Sequence, residues 1–301
     1  MTTFVLVSGA WHGPWAWDRV VPLLERAGAR TVVPDLVYGR DVGLHDHVAQ
    51  VVAALDAAEA EAEAEAEAEA EAQAQAQAQA EAWAQTAGAG AETEAGVGAE
   101  APTGAAAGAE GGAEGGAESG AEGGAEAHVE GRHVVDVRSG GGVVLVGHSY
   151  AGLVVRQAAD LRPERVDHVI MVEGWAGTNG DSMLSLAPEG FVKFVQASAD
   201  GWQVPAPAPA TFGITDPADA AWLQERLRPQ PLRTFSEGTR LTGAVDRIPG
   251  TGVYCRPQTF AFDRFAEAVG YRTIALDGPH DVLLTDPGAV AAVLLGGRCV
   301  G

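Results

Sequence analysis

Short apolar runs alternate with longer amphipathic segments along most of the chain. Phe4 to Val7 (FVLV) is an unbroken apolar run that meets Gly9 and Gly13, and it predicts a first strand. From Trp15 to Ala27, residues Trp17, Val20, Val21 and Leu24 recur at helical spacing until Gly28, predicting a helix. Thr31 to Val33 reads as a second strand, ended by Pro34. A helix follows from about His45, with Val48, Val51, Val52 and Leu55 on one face. Val143 to Val146 and His168 to Val172 have the dense apolar character of strands covered on both faces. Between them Tyr150 to Leu161 reads as a helix. Gly252 to Cys255 and Arg272 to Leu276 predict two more strands, and a last helix spans about Pro287 to Leu295. Strands alternating with helices give an α/β class built on a mostly parallel sheet.

Two segments interrupt the alternation. The first, residues 58–139, is centred on a 68-residue stretch from 59 to 126 made of Ala, Glu, Gln and Gly, broken by Trp83 and a few small residues. Its EAEAEA and QAQAQA tracts have period two, yet these residues are strong helix formers and poor strand formers. The expectation is a solvated extension of the helix from His45, giving way near Gly88 to disorder, because GAEGG-type repeats bury too little to offset chain entropy. An acidic arm for tethering or partner binding is one reading; a repeat expansion tolerated in a surface loop is the favoured one. The second interruption, residues 174–247, carries Trp175, Phe191, Phe194, Trp202, Phe212 and Trp222 and a Pro-rich VPAPAPA. It reads as a helical cap set between two strands. The core then comprises residues 1–57, 140–173 and 248–301.

Charge changes the picture once it is located. The formal net charge is −22, but the 59–126 stretch holds sixteen Glu and no Asp, Lys or Arg, so the remaining 233 residues carry only −6. Acidity belongs to the insert, and no basic surface is offered to nucleic acid phosphates. No run of about 18 apolar residues predicts a membrane span. The first apolar run has no basic region before it and ends at a glycine turn, so it reads as a strand and not a signal peptide. Cys255 and Cys299 allow at most one bridge. The expectation is a cytoplasmic protein whose partner is a small-molecule substrate, with a homodimer compatible, and with neither nucleic acid nor membrane as a target.

Chemistry concentrates in three places. In VVLVGHSYAGLVV, residues 143–155, a strand runs through Gly147-His148-Ser149-Tyr150-Ala151-Gly152 directly into a helix. That is the context of a nucleophile elbow, which exposes a serine hydroxyl on a strained turn. Ala151 stands where a second glycine is usual. A serine nucleophile needs a base, and His280, in the DGPHD loop after the last strand, is the candidate. His148 lies beside the serine on a turn where neighbouring side chains diverge, and His45 with His47 read as solvated, not metal-binding. Two backbone amides are needed for an oxyanion; Tyr150, after the serine, and Ala10, in the SGAWHG loop, are expected to supply them.

Together SGAWHGPWAWDRVVPLLERAG, VPDL, VGHSYAGLVV and DGPHDVLLTDP resemble the α/β-hydrolase superfamily, in particular its branch of esterases, methylketone synthases and hydroxynitrile lyases. The resemblance covers nearly everything outside the insert. It implies Ser149 as nucleophile, His280 as base, the amides of Ala10 and Tyr150 as oxyanion donors, and no metal or organic cofactor. Three departures stand out. Ser8 takes the place of the usual His before Gly9, and its hydroxyl is expected to reach a pocket with Trp11 and Trp175. The family's acid normally follows the strand that ends here at Cys255, where this chain has Arg256-Pro257-Gln258. Gln258 can orient a histidine but cannot balance its charge. Glu173, at the end of HVIMVEG, is the favoured replacement; Asp263, or no acid at all, are the alternatives. Third, lyase relatives place a lysine after the base, where this chain has Asp281; its single lysine, Lys193, lies in the cap.

The resemblance therefore implies a serine hydrolase of a small or medium apolar ester or thioester. Cyclisation or C–C bond chemistry in secondary metabolism is the alternative if the acid is lost, and a ligand-binding module without catalysis is the third reading.

Overall fold

Six parallel strands form the central sheet of the computed structural model, which describes residues 1–91 and 142–296. In chain order the elements are β1 (Thr3–Val7), α1 (Val21–Arg26), β2 (Arg30–Val32), α2 (Leu44–Ala91), β3 (Val143–His148), α3 (Ala151–Leu161) and β4 (Val166–Val172). The cap region holds α4 (Met183–Leu186), α5 (Glu189–Ser198), β5 (Gln203–Val204), α6 (Pro217–Gln224), β6 (Gln230–Pro231) and α7 (Leu232–Ser236). The chain then returns through β7 (Gly250–Arg256), α8 (Phe262–Ala268), β8 (Arg272–Asp277), α9 (Val282–Thr285) and α10 (Pro287–Leu294).

The sheet order is β2-β1-β3-β4-β7-β8. The chain leaves β1 to one side for β2 and then continues on the other with β3. Such a switch point opens a crevice at the carboxyl ends of the strands. Both faces of the inner strands are covered, which is why β1, β3 and most of β4 are dense apolar runs, whereas the edge strands β2 (RTV) and β8 (RTIALD) are half-buried and carry polar residues. Val5, Val7, Leu145, Val169 and Met171 pack with α2, α3 and α8 residues such as Leu55, Val154 and Phe262. Phe4, Leu6, Val144, Val146, Ile170 and Val172 pack on the other face with Leu24 of α1 and Val290 and Leu294 of α10.

Three expectations need correction. The helix expected over Trp15–Ala27 is broken into a 3-10 turn, Pro14–Trp17, and α1. Pro22 has no N–H, and its ring would collide with the Asp18 carbonyl in a continuous helix. The cap is not purely helical, because β5 and β6 pair antiparallel, Gln203 opposite Pro231 and Val204 opposite Gln230. Gly88 to Ala91, expected to be past the helix, belong to α2; the remainder of the predicted disorder, residues 92–139, lies outside the described residues.

The chain divides into two units, Met1–Glu61 with His133–Gly301, and Ala62–Arg132. In the first, α2 buries Val48, Val51, Leu55 and Ala58. In the second, α2 continues through Ala/Glu/Gln repeats whose residues are exposed through position 79, as propensity without an apolar stripe predicts. No helix among the described residues is long and apolar enough to cross a membrane.

Candidate active site

Strand register brings distant residues together at the carboxyl edge of the sheet. Val7 pairs with Gly147, so Gly9 falls beside Ser149, and a Cβ on Gly9 would lie 2.9 Å from the Ser149 Cβ. Between β3 and α3, Ser149 adopts a left-handed backbone with φ 52°, a conformation costly for any residue with a Cβ. The turn is held by hydrogen bonds. Ser149 N–H donates to the Val172 carbonyl at 3.0 Å, and the Ser149 carbonyl accepts from Gly152 (3.0 Å) and Trp175 (3.1 Å). Gly147 is required there, since a Cβ would sit 2.7 Å from the Ala151 carbonyl oxygen.

β8 delivers His280 to the serine. Its Nε2 lies 3.0 Å from Ser149 Oγ, and its Nδ1 lies 3.1 Å from Glu173 Oε2. Glu173 follows β4, fully buried and itself left-handed at φ 49°. Its backbone N–H donates to Val253 at 2.7 Å, and its Oε1 accepts the Cys255 N–H at 2.5 Å. A carboxylate can only accept, so Nδ1 carries the imidazole proton and Nε2 is left to accept the serine O–H. The imidazole runs nearly parallel to two rings, Phe262 at 5.4 Å and Phe212 of the cap at 6.5 Å. The arrangement can draw a proton from Ser149 and hold the resulting imidazolium against a buried carboxylate.

The loop after β1 is tightly fixed. Trp11 is left-handed at φ 66°; its backbone N–H donates to Gln230 Oε1 and its indole N–H to the Val204 carbonyl, both at 3.0 Å. The cap strands β5 and β6 thus grip this loop. The amides of Ala10 and Tyr150 make no hydrogen bond within the described residues, which leaves both free for an oxyanion. Ser8 does not offer its hydroxyl to a pocket, because Oγ donates to the Gly13 carbonyl at 2.7 Å and closes the loop on itself. Trp175 is buried among Phe191, Phe260, Phe262 and Phe265 and packs the core.

The other acid candidate, Asp263, and the neutral Gln258 stand apart from the base. Asp263, near the start of α8, faces its neighbour Arg264 at 3.9 Å, and Gln258 is exposed. Neither bonds to His280, both of whose ring nitrogens are taken. A depression of about 490 Å³ opens over His280, bordered by Thr211, Gly213, Arg256, Pro257 and Thr259.

Two further histidines surround the base. His148 Nε2 donates to the His280 carbonyl at 3.1 Å. Burial, helped by His280, pulls its pKa down to about 3, so it anchors the loop as a neutral ring. His12 donates from Nδ1 to the Ala10 carbonyl at 2.7 Å and from Nε2 to Asp281 Oδ2 at 3.0 Å. Sequence reasoning missed this His12–Asp281 pair; the only local signal was an aspartate directly after the base. His45 and His47 share no ligand geometry: His45 meets Gln157, and His47 meets the Tyr150 hydroxyl and the Val37 carbonyl. Cys255 is a buried thiol whose pKa is pushed up by burial and by Glu173; Cys299 lies outside the described residues.

Comparison with known proteins places this geometry in a family. Residues 4–293 match the model of the alpha/beta hydrolase family. A carbendazim-hydrolyzing esterase from Nocardioides sp. (strain SG-4G) is 23% identical over 325 aligned positions, covering 98% of each chain. An extracellular alpha/beta-hydrolase from a Paenibacillus species superposes with a TM-score of 0.64 at 16% identity, over 99% of this chain and 100% of that one. Polyneuridine aldehyde esterase superposes at 0.58 with 14% identity over 98% of each chain. With a family match that runs almost from end to end and a sheet whose carboxyl edge carries the elbow, the chain belongs to the alpha/beta hydrolase family.

Proposed function

We propose that the protein is a serine hydrolase that cleaves a small or medium apolar carboxylic ester or thioester through an acyl-enzyme. The observation that carries this reading is the buried chain Ser149–His280–Glu173, with contacts of 3.0 and 3.1 Å and the serine on a left-handed turn. Ser149 Oγ attacks the carbonyl carbon while His280 Nε2 takes its proton. Glu173 holds Nδ1 and balances the imidazolium. The Ala10 and Tyr150 amides receive the oxyanion, and the N-terminus of α3 adds a favourable partial charge. Collapse expels the alcohol or thiol, which recovers the proton from His280. Water, activated by the same imidazole, then releases the acid.

Cyclisation or C–C bond chemistry is the alternative motivated by the missing acid after Cys255. The contact of Glu173 with His280 supports hydrolysis over it. The esterases among the similar proteins support the same side.

Stopped-flow reaction with p-nitrophenyl butyrate, followed by intact-mass measurement, tests the reading. The expected result is a burst of about one equivalent per chain and a butyryl adduct, both absent in Ser149→Ala. Turnover without a burst or adduct, unaffected by that substitution, would contradict it.

A further inference from the structure

We propose that His12 is a positioning residue, doubly protonated and clamped to Asp281, that locks the loop bearing the Ala10 amide to the loop bearing His280. The inference deepens the hydrolase reading and rests on it.

Geometry assigns the charge. The two ring nitrogens of His12 face a carbonyl oxygen and a carboxylate oxygen, at 2.7 and 3.0 Å. Neither the carbonyl nor an ionised carboxylate can donate, so both nitrogens must, and the ring is an imidazolium. Both partners are nearly sealed from water, His12 at 3% and Asp281 at 1% exposure. The ion pair spans 269 positions of sequence and joins the first loop of the sheet to the last.

Each end of this link touches the proposed chemistry. The Ala10 carbonyl, held by His12, belongs to the same peptide unit as the Trp11 N–H, which Gln230 holds. That peptide is tied on both sides, and the neighbouring Ala10 N–H inherits its direction. At the other end, Asp281 directly follows His280, whose own carbonyl is pinned by His148.

The charged and titratable groups around His12 set the sign of its pH dependence. Asp281 attracts its charge. His148, ring to ring at 5.8 Å, is neutral, with His280 beyond it. Tyr38 donates its hydroxyl to the His12 carbonyl at 2.8 Å. Arg228 lies over Tyr38 and is paired with Asp35 at 2.9 Å. Burial disfavours the charge, but the attraction and hydrogen bond of Asp281, with the Ala10 carbonyl, outweigh it and raise His12 above 6.5. Asp281 is itself held below 3.8, its burial outweighed chiefly by His12. The contribution of His12 is therefore complete below pH 6.5 and lost as pH rises through its raised pKa. That of Asp281 is complete above 3.8 and lost as pH falls through its lowered one.

The test uses the full chain with His12→Gln, Asp281→Asn and Asp281→Glu, and two readouts: the ester burst across pH and the NMR titration of the His12 ring. The His12 resonance is the one missing in His12→Gln. In the wild type, the alkaline fall of the acylation rate should track the His12 titration. Asp281→Asn should shift both to lower pH and slow acylation about 10–100-fold with KM changed less than about twofold. Asp281→Glu should recover part of the rate. If Asp281→Asn acylates at the wild-type rate and pH profile, the inference is overturned. A wild type that forms no acyl-enzyme overturns the hydrolase reading instead. The NMR arm then decides the clamp alone: a His12 titration unmoved by Asp281→Asn overturns it. If His12→Gln does not fold, through-bond correlation of the ring to the His12 backbone assigns the resonance in its place.

Discussion

Glu173 is the residue on which the proposed chemistry turns, because of the two acids the sequence offered, Glu173 and Asp263, only it meets His280. Replacing it with Gln keeps the shape but cannot balance the imidazolium and can stabilise the wrong tautomer. Glu173→Gln should therefore slow acylation by roughly 10³–10⁴-fold in stopped-flow measurements, with little change in KM. Asp263→Asn and Gln258→Ala should leave the rate within about twofold, since neither side chain reaches His280. The contrast between these variants isolates the acid. Ser149 and His280 were legible in the sequence because their signals are local: a strand, a tight turn and a helix for one, and a loop after the last strand for the other. Glu173 was only half legible, since its role depends on β4 lying two strands from β8. His12 and Asp281 were illegible for the same reason, with 269 positions between the partners. Ser8 misled because nothing in SGAWHG shows that its hydroxyl bends back to Gly13.

Elements followed the apolar pattern closely wherever the pattern was dense. β1, β3 and the second half of β4 are found where unbroken apolar runs predicted them, because burial on both faces leaves little room for polar positions there. Periodicity failed at Trp15–Ala27, where a regular apolar spacing continued across Pro22 and the backbone could not follow it. It also failed at β5 and β6, two-residue strands too short to show any period. The elbow illustrates how close approach constrains an element. A Cβ on Gly152, in the first turn of α3, would lie 2.4 Å from the Trp175 carbonyl oxygen. Gly152→Ala should destabilise the protein by about 1–3 kcal/mol in urea denaturation. Gly190, in α5, has open space around the same position. Gly190→Ala should be neutral or stabilising, by up to about 1 kcal/mol. Equal losses at the two positions would mean that helix context, and not the contact with Trp175, governs the cost.

For the whole molecule, every residue given a role lies in the unit formed by Met1–Glu61 and His133–Gly301. The strongly negative charge lies mainly outside that unit's core, in the repeat segment. Replacing residues 62–132 with a flexible Gly/Ser linker should therefore keep kcat/KM for p-nitrophenyl butyrate within about twofold, since loop length costs little. A large loss of activity from a folded variant would assign the insert a part in the site. The order of the sheet explains why so much chemistry gathers at one edge. Ser8–Gly13, Ser149, Glu173 and His280 follow β1, β3, β4 and β8 at their carboxyl ends, on the side where the chain reverses direction across the sheet.

The central claim is that His280 activates Ser149 inside this edge. The most direct measurement is the rate of phosphonylation of the purified full-length chain by a fluorophosphonate, read by intact mass, with Ser149→Ala and His280→Ala beside it. The account predicts rapid modification of a single residue in the wild type, none in Ser149→Ala, and a rate reduced by orders of magnitude in His280→Ala. A folded wild type left unmodified, or His280→Ala labelled as fast as the wild type, would contradict it.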